Sequence, residues 1–268
     1  MKRNIYLLAC IALCISLCIT SCKKEKIKTD NPTQVENQNQ EPQGDGIIPN
    51  AVKDYDGNTY DAVKIGNQVW MATNLRTTHY ASGVAIDEGS TTSYQHPYYY
   101  KRSGDPASFG YLYNWKAAVD CALSSESNPS GVQGVCPDGW HVPSDAEFDE
   151  LIEYCESKDE YACGELIPGS PRNVAKSLAA VYEWDYCDLE CAVGHDPSSN
   201  NLTGFGAIPT GFYIGVFTDP GRIADFWGAT GCDGCTYAYK HYTSYNSTNM
   251  YRVTSEKNVA YPVRCVKD

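Results

Sequence analysis

The sequence predicts an α+β domain in which short, twisted antiparallel strands surround two main helices and disulfides join distant segments. Strand-like runs bounded by turn residues occupy the beginning and the end of residues 51–268, and two helix-like segments lie between them. Strands separated from helices along the chain in this way favour the α+β class. Nine cysteines fall in the same range, and they predict a domain stabilised by disulfides.

The first predicted elements are paired strands within residues 51–76. An Asp-Gly-Asn turn at 56–58 and a Gly-Asn turn at 66–67 bound runs rich in Tyr, Val and Ile. Glycine and asparagine adopt the left-handed backbone of tight hairpins, and the flanking residue types favour strands. The acidic residues around 56–58 also resemble part of a calcium loop, but the glutamate that closes such a loop is missing. We therefore predict a hairpin and no metal site.

Residues 77–108 predict a long surface excursion, because they are polar, aromatic and rich in Gly, Ser and Thr. The chain then becomes helix-like over residues 109–119. The clearest helix begins at Ser144, which forms a capping box, S-x-x-E, with Glu147. Its apolar face, at helical spacing, is Phe148, Leu151, Ile152 and Cys155. The acidic residues of this helix lie in its first turns or on its solvated face, so we predict a structural role for them.

A second helix is predicted to begin at Ser170 and Pro171, because serine is a common N-cap and proline fits the first helical position. Its apolar stripe is Val174, Ala175, Leu178 and Ala179. Beyond it, strands bounded by turn residues are predicted near residues 205–213, 223–229 and 261–266. These strands complete the pattern of strands, two helices and strands.

The beginning of the sequence predicts a bacterial lipoprotein. Residues 1–21 combine a positive start, an apolar run of about fifteen residues and a small residue before Cys22, which are the features of a signal peptide. The apolar run is shorter than the ~20 residues that a membrane-spanning helix needs. The Ser-Cys junction resembles a lipobox, so we expect cleavage before Cys22 and acylation of that cysteine. Its acyl chains would then hold the protein to the membrane.

Residues 22–50 are predicted to be the lipidated cysteine and a flexible tether. They are rich in Lys, Glu, Asn, Gln and Pro, and such a segment buries too little apolar surface to offset the entropy of ordering. The tether would hold the predicted domain, residues 51–268, away from the lipid surface. We expect a lipid-anchored location in the cell envelope, with the outer membrane favoured and the leaflet left open.

The net charge argues against nucleic acid as a partner. The full chain has a formal net charge of −12, and removal of residues 1–21 would make it two charges more negative, because they contain two basic residues and no acidic one. Binding to phosphates requires clustered Lys and Arg. The 21 tyrosines have apolar faces and polar tips that suit sugar or protein surfaces, although strand tyrosines often have a purely structural role.

The cysteines of the domain are expected to form disulfides. They are Cys121, Cys136, Cys155, Cys163, Cys187, Cys191, Cys232, Cys235 and Cys265. An odd number leaves at least one thiol free or bonded to another molecule, and Cys121 is the candidate. Close spacing suggests the pairs Cys155–Cys163, Cys187–Cys191 and Cys232–Cys235. Cys136–Cys265 is the long-range candidate, and closing so long a loop would remove about 3–5 kcal/mol of unfolded-state entropy.

Metal and redox roles are disfavoured for these cysteines. The Cys-x3-Cys and Cys-x2-Cys spacings at 187–191 and 232–235 resemble zinc knuckles, but the first gap is not the usual one and oxidising surroundings favour disulfides. The 232–235 pair does not lie at a strand-to-helix turn, which argues against a redox role. No Ser/His/Asp series or paired-carboxylate motif stands out. We therefore predict no metal, no cofactor and no catalytic residue.

Several ordered blocks resemble the Fibrobacter succinogenes major paralogous domain, which is widespread in lipoproteins of Bacteroidetes and Fibrobacteres. The blocks are residues 53–60, 65–75, 110–115, 136–148, 204–207, 226–227 and 263–266. The Gly-Trp-His-Val-Pro stretch at 139–143 and the Arg-Cys-Val stretch at 264–266 are also similar to the sulfatase-modifying factor domain. This second resemblance implies a C-type-lectin-like fold, in which a Cys136–Cys265 disulfide would tie the first helix region to the final strand.

The anchor and the resemblance together imply a cell-envelope lipoprotein with a non-enzymatic binding or adhesion module for an unidentified glycan or protein. The calcium-sugar signatures of C-type lectins, Glu-Pro-Asn or Gln-Pro-Asp with Trp-Asn-Asp, are absent. The alternative is a structural subunit of a surface assembly or pilus tip, in which Cys121 would cross-link partners. A third hypothesis is an oxidase similar to the formylglycine-generating enzyme, with Cys232 and Cys235 as its copper-binding pair, although the surrounding residues do not match that site. Ligand-binding residues stay unassigned.

Overall fold

The computed structural model describes residues 46–165, 167–168 and 170–268. The protein is mostly β, with 30% strand arranged in three sheets and 13% helix. The predicted α+β, C-type-lectin-like class with two main helices is therefore wrong. The strands are β1 (Gly46–Lys53), β2 (Thr59–Ile65), β3 (Gln68–Met71), β4 (Asp87–Glu88), β5 (Tyr98–Tyr100), β6 (Leu112–Asn114), β7 (Trp140–His141), β8 (Phe212–Tyr213), β9 (Phe217–Thr218), β10 (Ile223–Gly231), β11 (Tyr237–Ser244), β12 (Tyr251–Glu256), β13 (Ala260–Tyr261) and β14 (Val266–Lys267). The helices are α1 (Trp115–Ala118), α2 (Asp145–Glu156) and α3 (Ala175–Leu178).

The first sheet has the strand order β1-β2-β3-β14-β7. The predicted hairpins are confirmed: β1 pairs antiparallel with β2, and β2 pairs antiparallel with β3. Gly57 and Gly66 have positive φ angles in the two turns, as tight hairpin turns require. β1 begins within the last residues assigned to the tether, because Ile47 and Ile48 pair with Val63 and Ala62 of β2.

The two other sheets are formed by the second half of the chain together with the excursion before α1. One has the order β10-β11-β12, and the other has the order β4-β5-β6-β13-β8-β9. β13 lies in the six-stranded sheet and β14 in the five-stranded sheet, so residues 260–267 connect the two. The predicted strand at 223–229 is confirmed as part of β10.

The core consists of two main apolar clusters, and alternation along single strands supplies both. In β3, Trp70 belongs to the cluster around Phe148 and Phe205, whereas Met71 belongs to the other. In β10, Phe226 and Trp227 divide in the same way. Successive side chains of a strand point to opposite faces, so these strands are buried on both faces.

The helix predicted from Ser144 is confirmed as α2. The Ser144 side chain accepts a hydrogen bond from the Glu147 backbone, and the Glu147 side chain accepts one from the Ser144 N–H, so the capping box is complete. Phe148, Leu151 and Cys155 are buried on its apolar face. This single long helix fits the mostly β character of the protein.

The second predicted helix is reduced to the single turn of α3, which begins at Ala175 and has no side-chain cap at Val174. Contacts from distant segments explain this difference. Asn173 forms an isolated β-bridge with Cys163, and Ala179 forms one with Ala207. These bridges occupy the backbone on both sides of the turn, so tertiary hydrogen bonding overrides the local helix signals.

Three disulfides are present in the described part of the chain: Cys136–Cys265, Cys163–Cys191 and Cys232–Cys235. The first and third are the expected pairs, whereas the proposed pairs Cys155–Cys163 and Cys187–Cys191 do not form. Cys155 points into the core from the apolar face of α2. Cys163 lies beyond that helix in its bridge with Asn173, where the fold brings Cys191 to it.

The predicted signal peptide, the lipid attachment site Cys22 and most of the predicted tether lie outside the described residues. Among the residues that the structure does describe, no helix is long and apolar enough to cross a membrane. The predicted excursion at 77–108 contains the short strands β4 and β5 and the start of a 3-10 turn at Ala107–Phe109, and it forms one side of the cleft described next.

Candidate functional site

A cleft with a volume of about 470 Å³ lies between the β1–β2 turn, the segment after β3 and the loop between β5 and β6. This volume falls in the range of ordinary ligand pockets. Its charged and polar lining consists of Asn58, Arg76, Glu88, Lys101, Arg102, Ser103, Asp105 and Tyr111. We call it the Arg76 cleft, and its three basic side chains stand out on a chain whose net charge is −12.

Arg76 is held in place by the first hairpin. Its Nε donates to the Oδ1 of Asn58 at 3.1 Å, and its guanidinium lies 5.2 Å from the ring centroid of Tyr60. Within the described chain, no carboxylate oxygen lies within 4.0 Å of this guanidinium. Arg76 is therefore positioned by a neutral amide and an aromatic ring, and no acidic side chain among the described residues pairs with it.

The groups behind Arg76 form a buried hydrogen-bonded unit. The Tyr60 hydroxyl donates to Asp54 Oδ2 at 2.5 Å and accepts from the Arg76 backbone N–H at 3.0 Å. Asp54 also accepts from the Asn58 side chain at 2.8 Å. Burial, together with the hydrogen bond to Asp54, raises the pKa of Tyr60, so its hydroxyl stays protonated. Asp54 thus holds Asn58 in place, and Asn58 in turn orients Arg76.

The opposite wall carries two ion pairs and an aromatic ring. Lys101 Nζ lies 3.1 Å from Glu88 and Arg102 Nε lies 2.7 Å from Asp105. The first pair is about half exposed, and such pairs contribute little to stability, so Lys101 can exchange its partner for a ligand at small cost. Tyr111 stacks on a neighbouring tyrosine, Tyr99, with 5.2 Å between ring centroids, which fixes the orientation of its ring.

The chemistry of the cleft is that of anion recognition. A guanidinium binds carboxylates and phosphates through parallel hydrogen bonds, and a tyrosine ring provides an apolar face for a sugar ring or side chain. The lining contains no histidine or cysteine, and its two carboxylates, Glu88 and Asp105, pair with Lys101 and Arg102.

A second cluster of titratable groups lies where β7 meets α2. His141 bonds through Nε2 to Glu147 and through Nδ1 to Asp268, both at 2.6 Å. Burial lowers the pKa of His141, but the two carboxylates outweigh this effect and raise the pKa overall. The nearby Ser130 hydroxyl donates to the carbonyl of Val142 and does not face the histidine as a nucleophile. This cluster is a structural link between the capping box and Asp268.

The predicted site residues do not gather in one place. Cys121 carries an exposed free thiol, Cys187 carries a half-buried one, and Cys22 lies outside the described residues. Cys232 and Cys235 are joined to each other. Within the described residues no group of three or more His, Cys, Asp or Glu is arranged to hold a metal ion.

Sequence reasoning did not identify Arg76, Lys101 or Arg102. The signal that could have found them is the presence of basic residues around a tyrosine-rich polar excursion in an otherwise acidic chain. Two of the three tyrosines at 98–100 are buried, and Tyr100 stacks on Tyr213 with 4.2 Å between centroids. Their role is therefore structural, while Tyr111 has the ring that lines the cleft.

One comparison with known proteins gives a match. The family model described as the Fibrobacter succinogenes major domain matches residues 63–267, which include Arg76, the loop of the cleft and α2. No curated protein and no solved structure matches the chain.

Proposed function

The chain belongs to the Fibrobacter succinogenes major domain family, and we propose that its domain is a non-enzymatic binding module of a cell-envelope lipoprotein. The Arg76 cleft is the proposed binding site. Its ligand is an anionic group, a carboxylate or an acidic substituent, presented on a glycan or a protein. The module would be displayed on a lipid anchor at Cys22 and a tether.

The observation that carries this proposal is the state of Arg76. A charged side chain in a protein normally has an acidic partner or faces open solvent. Arg76 is partly buried, oriented by Asn58 and Tyr60, and has no carboxylate within 4.0 Å among the described residues. An arginine that is oriented in a cleft and has no carboxylate partner among the described residues is suited to an incoming anion, because little ordering remains when the ligand binds.

The charge of the whole chain makes this cleft selective. An acidic surface repels anions in general, so a local group of basic side chains provides the favourable place for one to bind. Lys101 and Arg102 flank the cleft, and they can add to the attraction when they turn from their surface partners to the ligand. Attraction of this kind weakens as salt rises, because the Debye length shortens to about 8 Å at physiological ionic strength.

The proposal is tested by binding titrations with two polysaccharides, the anionic polygalacturonate and the neutral dextran. We expect saturable binding of polygalacturonate that weakens with salt, and little binding of dextran. Arg76→Gln removes charge-assisted hydrogen bonds worth about 1.5–3 kcal/mol, which corresponds to roughly ten- to hundredfold weaker binding. Arg76→Lys keeps the charge but loses the planar fork of donors, so its affinity should lie between those of the wild-type protein and Arg76→Gln.

The matched control is Lys267→Gln, which makes the same change of charge at an exposed residue outside the cleft. It should leave affinity within about twofold, as expected for a distant exposed charge under salt screening. Equal loss of affinity in Arg76→Gln and Lys267→Gln would mean that only net charge matters and would contradict the cleft. Absence of binding to anionic polysaccharides and to acidic proteins from envelope extract would contradict the binding role itself.

The second candidate function is a structural subunit of a surface assembly, and the exposed free thiol of Cys121 favours it. Such a thiol in an oxidising compartment can bond to a second chain. Non-reducing electrophoresis of the full protein should then show a thiol-sensitive dimer that Cys121→Ser abolishes. A monomer under the same oxidising conditions would contradict a cross-linking role for Cys121.

Lipid anchoring through Cys22 is tested separately from ligand binding. The full chain produced in a bacterial host should enter the membrane fraction and incorporate labelled fatty acid, whereas Cys22→Ser should incorporate none and should keep its signal peptide uncleaved. Incorporation that persists in Cys22→Ser would contradict the assignment. The relation to the sulfatase-modifying factor domain also stays a proposal, which rests on the stretches at 139–143 and 264–266.

A further inference from the structure

We propose that Lys240 and Asp225 condense to an amide, so that an isopeptide bond cross-links the neighbouring strands β11 and β10. Two register pairs, Asp225 with Tyr242 and Trp227 with Lys240, place the two side chains on one face of the sheet as diagonal neighbours. The Nζ of Lys240 contacts the Oδ1 of Asp225. The nitrogen and the carboxyl group that would react are thus already adjacent.

The surroundings of the pair exclude water. The Asp225 side chain is fully buried and the Lys240 side chain is 12% exposed. The Nζ lies 4.4 Å from the ring centroid of Tyr261, 4.9 Å from that of Tyr242 and 5.8 Å from that of Phe212. Three aromatic rings therefore surround the amine while the carboxyl group lies beneath it.

The carboxyl group is poorly stabilised as an anion. Its Oδ2 is buried and has no hydrogen-bond partner among the described residues, although a buried carboxylate normally accepts several. Burial raises the pKa of Asp225, and the attraction of Lys240 opposes this only in part. Low polarity disfavours separated charges, so transfer of a proton from the ammonium to the carboxylate gives the neutral amine and neutral acid that amide formation needs.

The reaction balances without any further reagent. The lone pair of Nζ attacks Cγ of Asp225 and forms the C–N bond, and the C–O bond to one carboxyl oxygen breaks. That oxygen leaves as water, with the carboxyl proton and one proton from the amine. Nothing is oxidised or reduced. The product is a neutral amide, which replaces two charges that are costly to bury, and its surroundings hinder the return of water.

The bond is detected by tryptic digestion of the full chain after denaturation, reduction and alkylation. Residues 223–252 contain a single internal trypsin site, Lys240. With an amide at Nζ, cleavage after Lys240 is lost, and the 223–252 peptide is lighter than its sequence mass, after allowing for alkylation, by one water molecule. Fragmentation should then give no backbone fragments between positions 225 and 240. Cleavage after Lys257 in the same digest verifies that trypsin is active.

The matched variant is Lys240→Arg, which keeps a cation beside Asp225 but has no nucleophilic amine at neutral pH. Its digest should contain the 223–240 peptide at its unmodified mass. Release of that same peptide at its unmodified mass from the wild-type chain would overturn the proposal and leave an ordinary buried ion pair. The wild-type digest decides the question even if the variant folds poorly.

Discussion

Replacing Arg264 by lysine is expected to lower the free energy of unfolding by about 3–5 kcal/mol, the cost of disrupting a buried hydrogen-bonded charge. Arg264 is fully buried. Its guanidinium donates to the side chain of Asn74 and to the backbone carbonyls of Met71, Phe205 and Gly206. No carboxylate among the described residues pairs with it, so its charge is stabilised by neutral groups.

The magnitude follows from the number of these hydrogen bonds. The guanidinium makes five, whereas a lysine ammonium has three donors and cannot match the same planar arrangement. At least two of the five hydrogen bonds to buried acceptors would be lost, and a hydrogen bond that involves a charged group contributes about 1.5–3 kcal/mol. The guanidinium also lies 4.6 Å from the ring centroid of Phe205 and 5.3 Å from that of Phe226, and these contacts would be lost. Burial lowers the pKa of Arg264 to about 9, so the group is still charged at neutral pH.

Urea unfolding followed by tryptophan fluorescence measures this effect, since Trp70 and Trp227 are buried. The disulfides are kept oxidised in both proteins. The melting temperature should fall by roughly 6–20 °C, because a domain of this size loses about 2–4 °C per kcal/mol. Arg252→Lys is the matched control, because Arg252 is 46% exposed and pairs with Asp145 at the surface. A loss below about 1 kcal/mol for Arg264→Lys, or an equal loss for both variants, would refute this reasoning, because a buried charge-assisted hydrogen bond alone is worth more than that.

Three further changes should have measurable effects. Because the pKa of His141 is raised in the folded protein, its stabilisation is complete below about pH 6.5 and is lost as pH rises through the folded value; unfolding at pH 6 and pH 9 should show this loss, and Asp268→Asn should make it smaller. Replacing both Cys136 and Cys265 by alanine should cost up to about 5 kcal/mol, because the bond spans 129 residues; an unchanged urea midpoint would contradict this. Tyr111→Ala should weaken polygalacturonate binding without changing its salt dependence, since it removes a ring and no charge; a reduced salt dependence in titrations at two salt concentrations would argue against this role.

Local sequence signals predicted the parts of the fold that depend on local chemistry. The capping box of Ser144 and Glu147 forms because both partners lie in one turn of the chain. The hairpins form because glycine permits the tight turn and the two strands that pair are neighbours in the sequence. The second helix failed for the opposite reason, because bridges from Cys163 and Ala207 occupy its flanking backbone, and such contacts cannot be read from propensity.

The candidate site was beyond local reasoning for the same physical cause. Arg76 lies in the segment after β3, whereas Lys101 and Arg102 lie in the loop between β5 and β6. Only the fold brings these basic residues together. The disulfides show the same limit: Cys232 and Cys235 are three residues apart, but the bond from Cys163 passes over 28 residues to Cys191. Close spacing alone does not decide a pair, because Cys155 lies in the core and is not bonded to Cys163.

Residues 260–268 join nearly every part of this domain. β13 completes the six-stranded sheet and β14 completes the five-stranded sheet. Between them, the carbonyl of Pro262 accepts from the Trp227 backbone, Arg264 holds three backbone carbonyls and Cys265 bonds to Cys136. Asp268 then bonds to His141. The same segment contributes Val263 to one main apolar cluster and Val266 to the other. Because contacts of such high sequence separation slow folding, we expect substitutions in this segment to affect both clusters together.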